Sequence, residues 1–388
     1  MSGFLFVVPP LVGHINPAVG VAAELTARGH RVAWVGPDAG LVRRLAGAEA
    51  EVFPCAGTIE GERPADLRGA EALKFLWEWF LVPLADAMAP GVRAAVDGFR
   101  PDVVVADQQA FAGALVAERL GLPWATSATT SAEFGGAYDG IPKVADWLRA
   151  RLAELRERIG DPDGTADPRF SPHLVLAFTT PELAGPSDRS RVRHIGPSVA
   201  ERPVDHGFPW EWLDPGRRKV LVSLGTANAD VGGRFLAECV AAVRERADRI
   251  QALIADPGRT LPPAADDKDV LVRPSLPQLP LLERVDAVVC HAGHNTVCEA
   301  LWHGVPLVVA PIRDDQPVIA GQVVAAGAGI RVRFGRVTAP KLGDALDTVL
   351  YEGAHRTAAA RIRTAFRAAG GAPVAATHLE ALAAEETR

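Results

Sequence analysis

Three groups of residues have the types and spacing for chemistry on a charged, hydroxylated ligand. The first is His291-Ala-Gly-His-Asn-Thr-Val-Cys-Glu299. The apolar run 287–290 before it reads as a short buried strand. Gly293 and His294 make a turn, and residues 295–303 read as a helix that Gly304 stops. The unbonded N–H groups that open such a helix form an anion site, and Asn295 and Thr296 add neutral donors there. Glu299 lies four residues after Asn295, on the same face. A carboxylate there repels phosphate but accepts from a pair of sugar hydroxyls, so the pattern points to a nucleotide diphosphate with its ribose clamped by Glu299. The second group is Asp314-Asp315-Gln316, after the apolar run 307–310. Asp315 accepts hydrogen bonds and Gln316 both donates and accepts, which matches the hydroxyls of a hexose. The third is His14, in Gly13-His14-Ile-Asn-Pro17, with Asp107 at the end of the apolar run 102–106. An imidazole can take a proton from an alcohol, and a carboxylate behind it fixes the tautomer and stabilises the imidazolium. The blander readings are a His that fills a loop and an Asp that caps the helix after it. Ser223-Leu-Gly225-Thr226 ends another strand. Gly225 lets backbone approach a ligand and Thr226 can donate to phosphate, unless this is an ordinary turn.

These groups need elements to hold them. In the first half, residues 4–8 read as a strand. Asn16 caps a helix with Pro17 at its first position, running to Arg28 and stopped by Gly29. Runs 31–35, 102–106, 124–128 and 174–178 are further strands, with helices over 110–120 and 143–158. Residues 63–88 are less regular and carry Phe75, Trp77, Trp79 and Phe80. Two Trp two residues apart cannot share one helical face, so at least one is expected to line a cleft and favour a flat or apolar ligand. Phe111 and Phe134 are candidates for the same wall. The Pro-rich stretch from Gly196 to about Pro215 has the punctuation of a linker. In the second half, runs 220–223, 250–254, 270–272, 287–290 and 307–310 alternate with helices over 234–246, 341–350, 355–369 and 374–385. The alternation predicts an α/β chain of two Rossmann-like, doubly wound domains facing a cleft. The expected boundaries are 1–200, a linker 201–215, 216–370, and a C-terminal helix within 371–388.

At 388 residues, 48% of them hydrophobic, the chain can bury two cores. A net charge of -6 argues against a nucleic-acid partner. Cys55, Cys239, Cys290 and Cys298 are scattered, which suits reduced thiols in the cytoplasm. No run is long enough for a membrane span. Asp161-Pro-Asp163 and Asp267-Lys-Asp269 have the spacing used by metal-dependent sugar transferases, but they read as solvated loop charges, and no metal is expected. No Gly-x-Gly-x-x-Gly follows a strand, which argues against a nicotinamide enzyme.

The segment from His291 to Gln316 resembles the donor signature of the family-1 glycosyltransferases of the GT-B fold. His291, Asn295 and Thr296 match that family's diphosphate contacts, Glu299 its ribose ligand, and Asp315-Gln316 its sugar-binding pair. Pro277-Gln278 and Leu282 resemble the start of the signature. Ser275 or Leu276 stands near the place of the aromatic that stacks on the base, and His294 replaces the Trp of plant members. Gly225, Thr226 and Gly293 complete the implied donor side. The resemblance also implies that His14 is the catalytic base and Asp107 its partner. The acceptor side is then expected at Val12, Gly13 and Gln108, together with Trp77, Phe80, Phe111 and Phe134. In this fold the last helix packs back on the N-terminal domain. The chain is similar to bacterial enzymes that decorate secondary metabolites. It is expected to be an inverting, metal-independent transferase, without a cofactor, moving a hexose from UDP or dTDP to a small apolar or aromatic acceptor, as a monomer or homodimer. The rivals are a nucleotide-sugar epimerase on the same fold and a catalytically silent nucleotide-sugar binder.

Overall fold

A computed structural model describes residues 1–57, 64, 67, 69–134, 141–187, 189–199, 207–225, 228 and 231–385. The chain divides into two compact units, Met1–Ala200 with Ala368–Arg388, and Glu201–Arg367. The first is built on β1 (Gly3–Val7), β2 (Arg31–Gly36), β3 (Val52–Pro54), β4 (Val103–Asp107), β5 (Trp124–Ala128), β6 (Leu174–Ala177) and β7 (Val192–His194). They form one sheet in the order β3-β2-β1-β4-β5-β6-β7, with all pairs parallel. Such strands read as continuous apolar runs because both faces are covered. Leu5, Val7, Val104 and Ala106 pack with Met88, Val92, Leu115 and Leu152 on one face. Phe4, Phe6, Val103 and Val105 pack with Ile15, Val21 and Leu25 on the other.

Leu379 and Leu382 of the last helix, Gly371–Glu385, join that second cluster. Each leucine so buried contributes roughly 1.5–3 kcal/mol relative to exposure. Arg28 and His30 add bonds to Glu380 at 2.8 and 2.9 Å, so the C-terminal helix is fixed to the first unit.

The second unit holds β8 (Arg218–Ser223), β9 (Ile250–Ala255), β10 (Val270–Arg273), β11 (Ala287–Cys290), β12 (Leu307–Val309) and β13 (Gly329–Arg331). Their order is β10-β9-β8-β11-β12-β13, again all parallel. Val220, Val222, Ala287, Val289 and Val308 pack against Phe235, Val240, Leu342 and Leu346 from helices Gly233–Arg244 and Ala339–Tyr351. In each sheet the strand order reverses once, between β1 and β4 and between β8 and β11. Those two points are where doubly wound sheets bind ligands.

Two segments differ from the sequence expectation. Residues 69–99 are helical: Gly69–Phe75, a π-helical stretch Leu76–Leu81, and Val82–Phe99. Val82 N–H donates to the Trp77 carbonyl five residues back, and Pro83 has no N–H to continue a regular turn. The Pro-rich linker is no free tether either. Asp214 N–H donates to Gln251 Oε1, Gln251 Nε2 to the Trp212 carbonyl, and Trp212 Nε1 to the Asp267 carbonyl, which docks this stretch on the second unit. Its residues 201–206 lie outside the described ones. No helix among the described residues is long and apolar enough to cross a membrane. None of the four cysteines is in a disulfide, and burial pushes the thiols of Cys55 and Cys290 up to about 12.

Candidate active site

The helix after β1 begins at Val12 rather than after Asn16, and Pro17 lies inside it. The Leu11 carbonyl accepts from both His14 and Ile15 N–H, and this starts the helix without a capping side chain. His14 is therefore the third helical residue, not a loop residue. Its Nδ1 lies 2.9 and 3.0 Å from the two carboxylate oxygens of Asp107. Strands β1 and β4 are neighbours, with Val7 opposite Ala106, so the residues that follow each strand meet. Thr129, just past β5, places Oγ1 2.8 Å from His14 Nδ1 and 2.9 Å from Asp107 Oδ2. A carboxylate only accepts, so Nδ1 carries the hydrogen and the basic lone pair of the ring is on Nε2. The Thr129 hydroxyl donates to Oδ2, and Gln109 N–H donates to Oδ1 at 2.8 Å. Three donors thus offset the cost of burying a carboxylate that is 1% exposed. Asp107 does not cap the following helix, Phe111–Arg119, whose N-cap is Ala110 with no side-chain bond.

Thr129 was not foreseen. The available signal was the polar run Thr129-Thr130-Ser131 after an apolar strand; all three residues are buried.

The expected aromatic acceptor wall is corrected. Trp77 and Phe111 are 2% and 1% exposed and pack on each other with centroids 5.3 Å apart, so they present no surface to an acceptor. Phe134 is buried against Phe170, and Phe80 packs half-buried on the first core. The π-helical stretch turns Trp77 inward and leaves Trp79 69% exposed, stacked on Phe75. Gln108 is buried too. Its Oε1 accepts from Thr130 N–H, and its Nε2 has no partner. Ser127 Oγ and Thr179 Oγ1, at the carboxyl ends of β5 and β6, are likewise buried without partners. Val12 and Gly13 remain accessible beside His14.

On the second unit, β8 and β11 pair with Ser223 opposite Cys290, which sets Gly225 beside His291. A Cβ on Gly225 would stand 2.8 Å from His291 Cε1, and one on Gly293 would collide with the same ring. Burial pushes His291 down to about 4; a bond to the Ser223 backbone opposes the shift and the nearby Arg313 charge adds to it. His291 is therefore neutral near pH 7, and its Nδ1 is buried without a partner. The helix His294–Trp302 opens with Gly293 as N-cap. His294 is its first residue rather than part of the turn, and it is buried with Nε2 3.5 Å from Cys298 Sγ, so it is not offered to a ligand. Asn295 and Thr296 occupy the first turn. Glu299, also buried, accepts from Gln278 Nε2 at 2.6 Å, which joins the segment after β10 to this helix. Ser275 is exposed and Leu276 half-buried just before Gln278. Thr226 lies outside the described residues.

Gln316 begins helix Gln316–Ala325, and its Oε1 accepts from Ile312 and Arg313 N–H at 2.9 and 3.1 Å. Its oxygen thus shapes the turn and its amide N–H groups are what it offers a ligand, which corrects the expectation that it also accepts. Asp315 is half-buried beside it. The Asp-x-Asp segments are structural rather than merely solvated. Asp267 accepts from Arg244 and from Asp269 and Val270 N–H, and Asp269 pairs with Arg217 and Lys268. Asp161 accepts from Asp163 N–H in its own turn. Among the described residues, no group of three or more His, Cys, Asp or Glu is placed to hold a metal ion.

The depressed His291 value makes stability depend on pH. The unfolded chain takes up this proton near 6.5 and the folded one only near 4, so the contribution is present above about 6.5 and lost as pH falls from there toward 4. It amounts to about 3 kcal/mol. His194, His303 and His378, also lowered by burial, act in the same direction. Urea unfolding across that window should show the fall, and His291→Gln should flatten it. An equally steep fall in the variant would remove His291 as the cause.

Residues 259–382 match the family model described as Erythromycin biosynthesis protein CIII-like, C-terminal domain. The chain is 32% identical to the demethyllactenocin mycarosyltransferase of Streptomyces fradiae, over 98% of this chain and 87% of that one. It is 31% identical to the 4'-demethylrebeccamycin synthase of Lentzea aerocolonigenes, over 92% and 93%. Its fold superposes on the crystal structure of the glycotransferase of kitacinnamycin with a TM-score of 0.81, 27% identity and 98% of each chain covered.

Proposed function

Because the chain belongs to the bacterial natural-product glycosyltransferases of the GT-B fold, we propose that it transfers a hexose, with inversion and without a metal, from UDP or dTDP to a hydroxyl of a small natural product. The observation that carries this reading is the His14–Asp107–Thr129 network at the carboxyl ends of β1, β4 and β5. His14 Nε2 takes the proton of the acceptor hydroxyl as its oxygen attacks the anomeric carbon opposite the departing diphosphate. Asp107 holds the tautomer and stabilises the imidazolium. The accessible side of the base, at Val12 and Gly13, is where the acceptor approaches. The strand ends behind it are polar rather than aromatic, which favours an acceptor that carries oxygens near the reacting hydroxyl.

On the donor side, the first turn of His294–Trp302 receives the diphosphate, with His291 as a neutral partner. Glu299, steadied by Gln278, takes the ribose hydroxyls. Asp315 accepts from the hexose and Gln316 donates to it. No organic cofactor is needed, since the activated sugar brings the leaving group.

The charge that develops on a leaving diphosphate is stabilised by a metal or by fixed donors, and this segment supplies fixed donors. Metal-stripped enzyme in excess EDTA should therefore keep its initial rate with UDP- and dTDP-hexoses and a panel of hydroxylated acceptors. The product from an α-linked D-sugar donor should be the β-glycoside by its anomeric NMR coupling. Loss of rate that Mg²⁺ or Mn²⁺ restores, or an α-linked product, would overturn the mechanism.

A further inference from the structure

Arg313 lies in the short turn between β12 and the helix Gln316–Ala325. Its Nε donates to Asn228 Oδ1 at 3.0 Å, and Asn228 Nδ2 donates to the Leu224 carbonyl at 2.8 Å. Leu224 directly follows β8. In the sheet, β11 stands between β8 and β12. An arginine that leaves the end of β12 and bonds a residue beyond β8 bridges two strand spacings, roughly 10 Å. It therefore crosses the carboxyl end of β11. There lie His291, the N-cap Gly293 and the first turn of His294–Trp302.

We propose that Arg313 is the cation that binds the donor's diphosphate, held across the end of β11 by Asn228. This rests on the reading of that helix start as the diphosphate site. The other groups there carry no positive charge: His291 is neutral near pH 7, and Asn295 and Thr296 are neutral donors. The buried, unpartnered Nδ1 of His291 marks the place as built for a further polar group. A guanidinium bonded through Nε has two further nitrogens in one plane, the fork that matches two phosphate oxygens. Its backbone is also fixed. Gln316 Oε1 accepts from the N–H groups of Ile312 and Arg313, and Asp314 adopts φ 56° to close the turn. The arginine thus reaches the ligand with little ordering left to do.

The test is calorimetry of UDP, dTDP, uridine and thymidine on the wild-type chain, Arg313→Gln and Arg313→Lys, each at low and high salt, with unfolding midpoints recorded for all three. Arg313→Gln should weaken the bound diphosphate by about tenfold to a hundredfold, the range for losing a charge-assisted bond. It should leave the matching nucleoside unchanged and reduce the salt dependence of diphosphate binding. Arg313→Lys should fall between the two, because it keeps the charge and loses the fork. Unchanged diphosphate affinity in Arg313→Gln, or an equal loss for nucleoside and diphosphate, would overturn the proposal. A wild-type chain that binds neither diphosphate would overturn the donor-site reading itself and the proposal with it.

Discussion

His14→Ala should lower turnover by about a hundredfold or more, the loss expected when a general base is removed, while nucleotide-sugar affinity stays unchanged. The expectation follows from the protonation pattern. Asp107 and Thr129 hold the Nδ1 side of the ring, which puts the reactive lone pair on Nε2. No neighbour in the network replaces that lone pair. Thr129 is a hydroxyl without a base of its own, and Asp107 is 1% exposed behind the ring. Asp107→Asn should approach the same loss by another route. An amide can turn its NH₂ toward Nδ1, which would then have to accept, and the proton would move to Nε2 where it blocks catalysis. Steady-state rates with saturating donor, beside donor binding by calorimetry, separate the two quantities. A His14→Ala enzyme with near-normal turnover would remove His14 from the mechanism. A parallel loss of donor affinity would show that its part is structural.

Gly225→Ala should be the most damaging single methyl on the donor side. Gly225 has φ +72°, a conformation that costs an L-residue roughly 1–2 kcal/mol. The new Cβ would also stand 2.8 and 3.0 Å from Cε1 and Nε2 of His291. That ring cannot retreat easily, because it is buried, bonded to the Ser223 backbone and pressed against Gly293. Overpacking of this kind costs about 1–3 kcal/mol more, and whatever relief occurs moves the imidazole that faces the diphosphate. Stability should fall by a few kcal/mol in total, with nucleotide diphosphate affinity at least about tenfold weaker. Gly29→Ala is the control. It has φ +84° with nothing within 4 Å of the added carbon, so it carries the conformational cost alone. Urea unfolding and calorimetry on both variants decide the matter. If Gly225→Ala behaves as Gly29→Ala does, the contact with His291 is not a constraint.

Much of this molecule is set by local pattern. Buried parallel strands are apolar on both faces, so runs such as Phe4–Val7 and Ala287–Cys290 show in the sequence without any partner being known. The strand–turn–helix around His291 to Glu299 is legible for the same reason, since its spacing lies within one segment. Helix ends were harder to place. The helix holding His14 starts on a backbone carbonyl at Leu11 with no capping side chain to announce it. The π-helical stretch broke the regular period, so sequence could tell that Trp77 and Trp79 face different ways but not which one is buried.

What tertiary structure alone decided depends on sheet order. Thr129 reaches His14 across 115 positions because β5 lies beside β4, and β4 beside β1. Arg313 meets Asn228 across 85 positions only because β11 stands between their strands. The neutrality of His291 is likewise a product of burial, which no neighbouring letter in the sequence encodes. Periodicity and caps act over a few residues, so the sequence determined the elements and the groups they carry. Which groups share a site, and in what state of charge, follows from how the strands pair and what they bury, and that was decided only by the packed sheets.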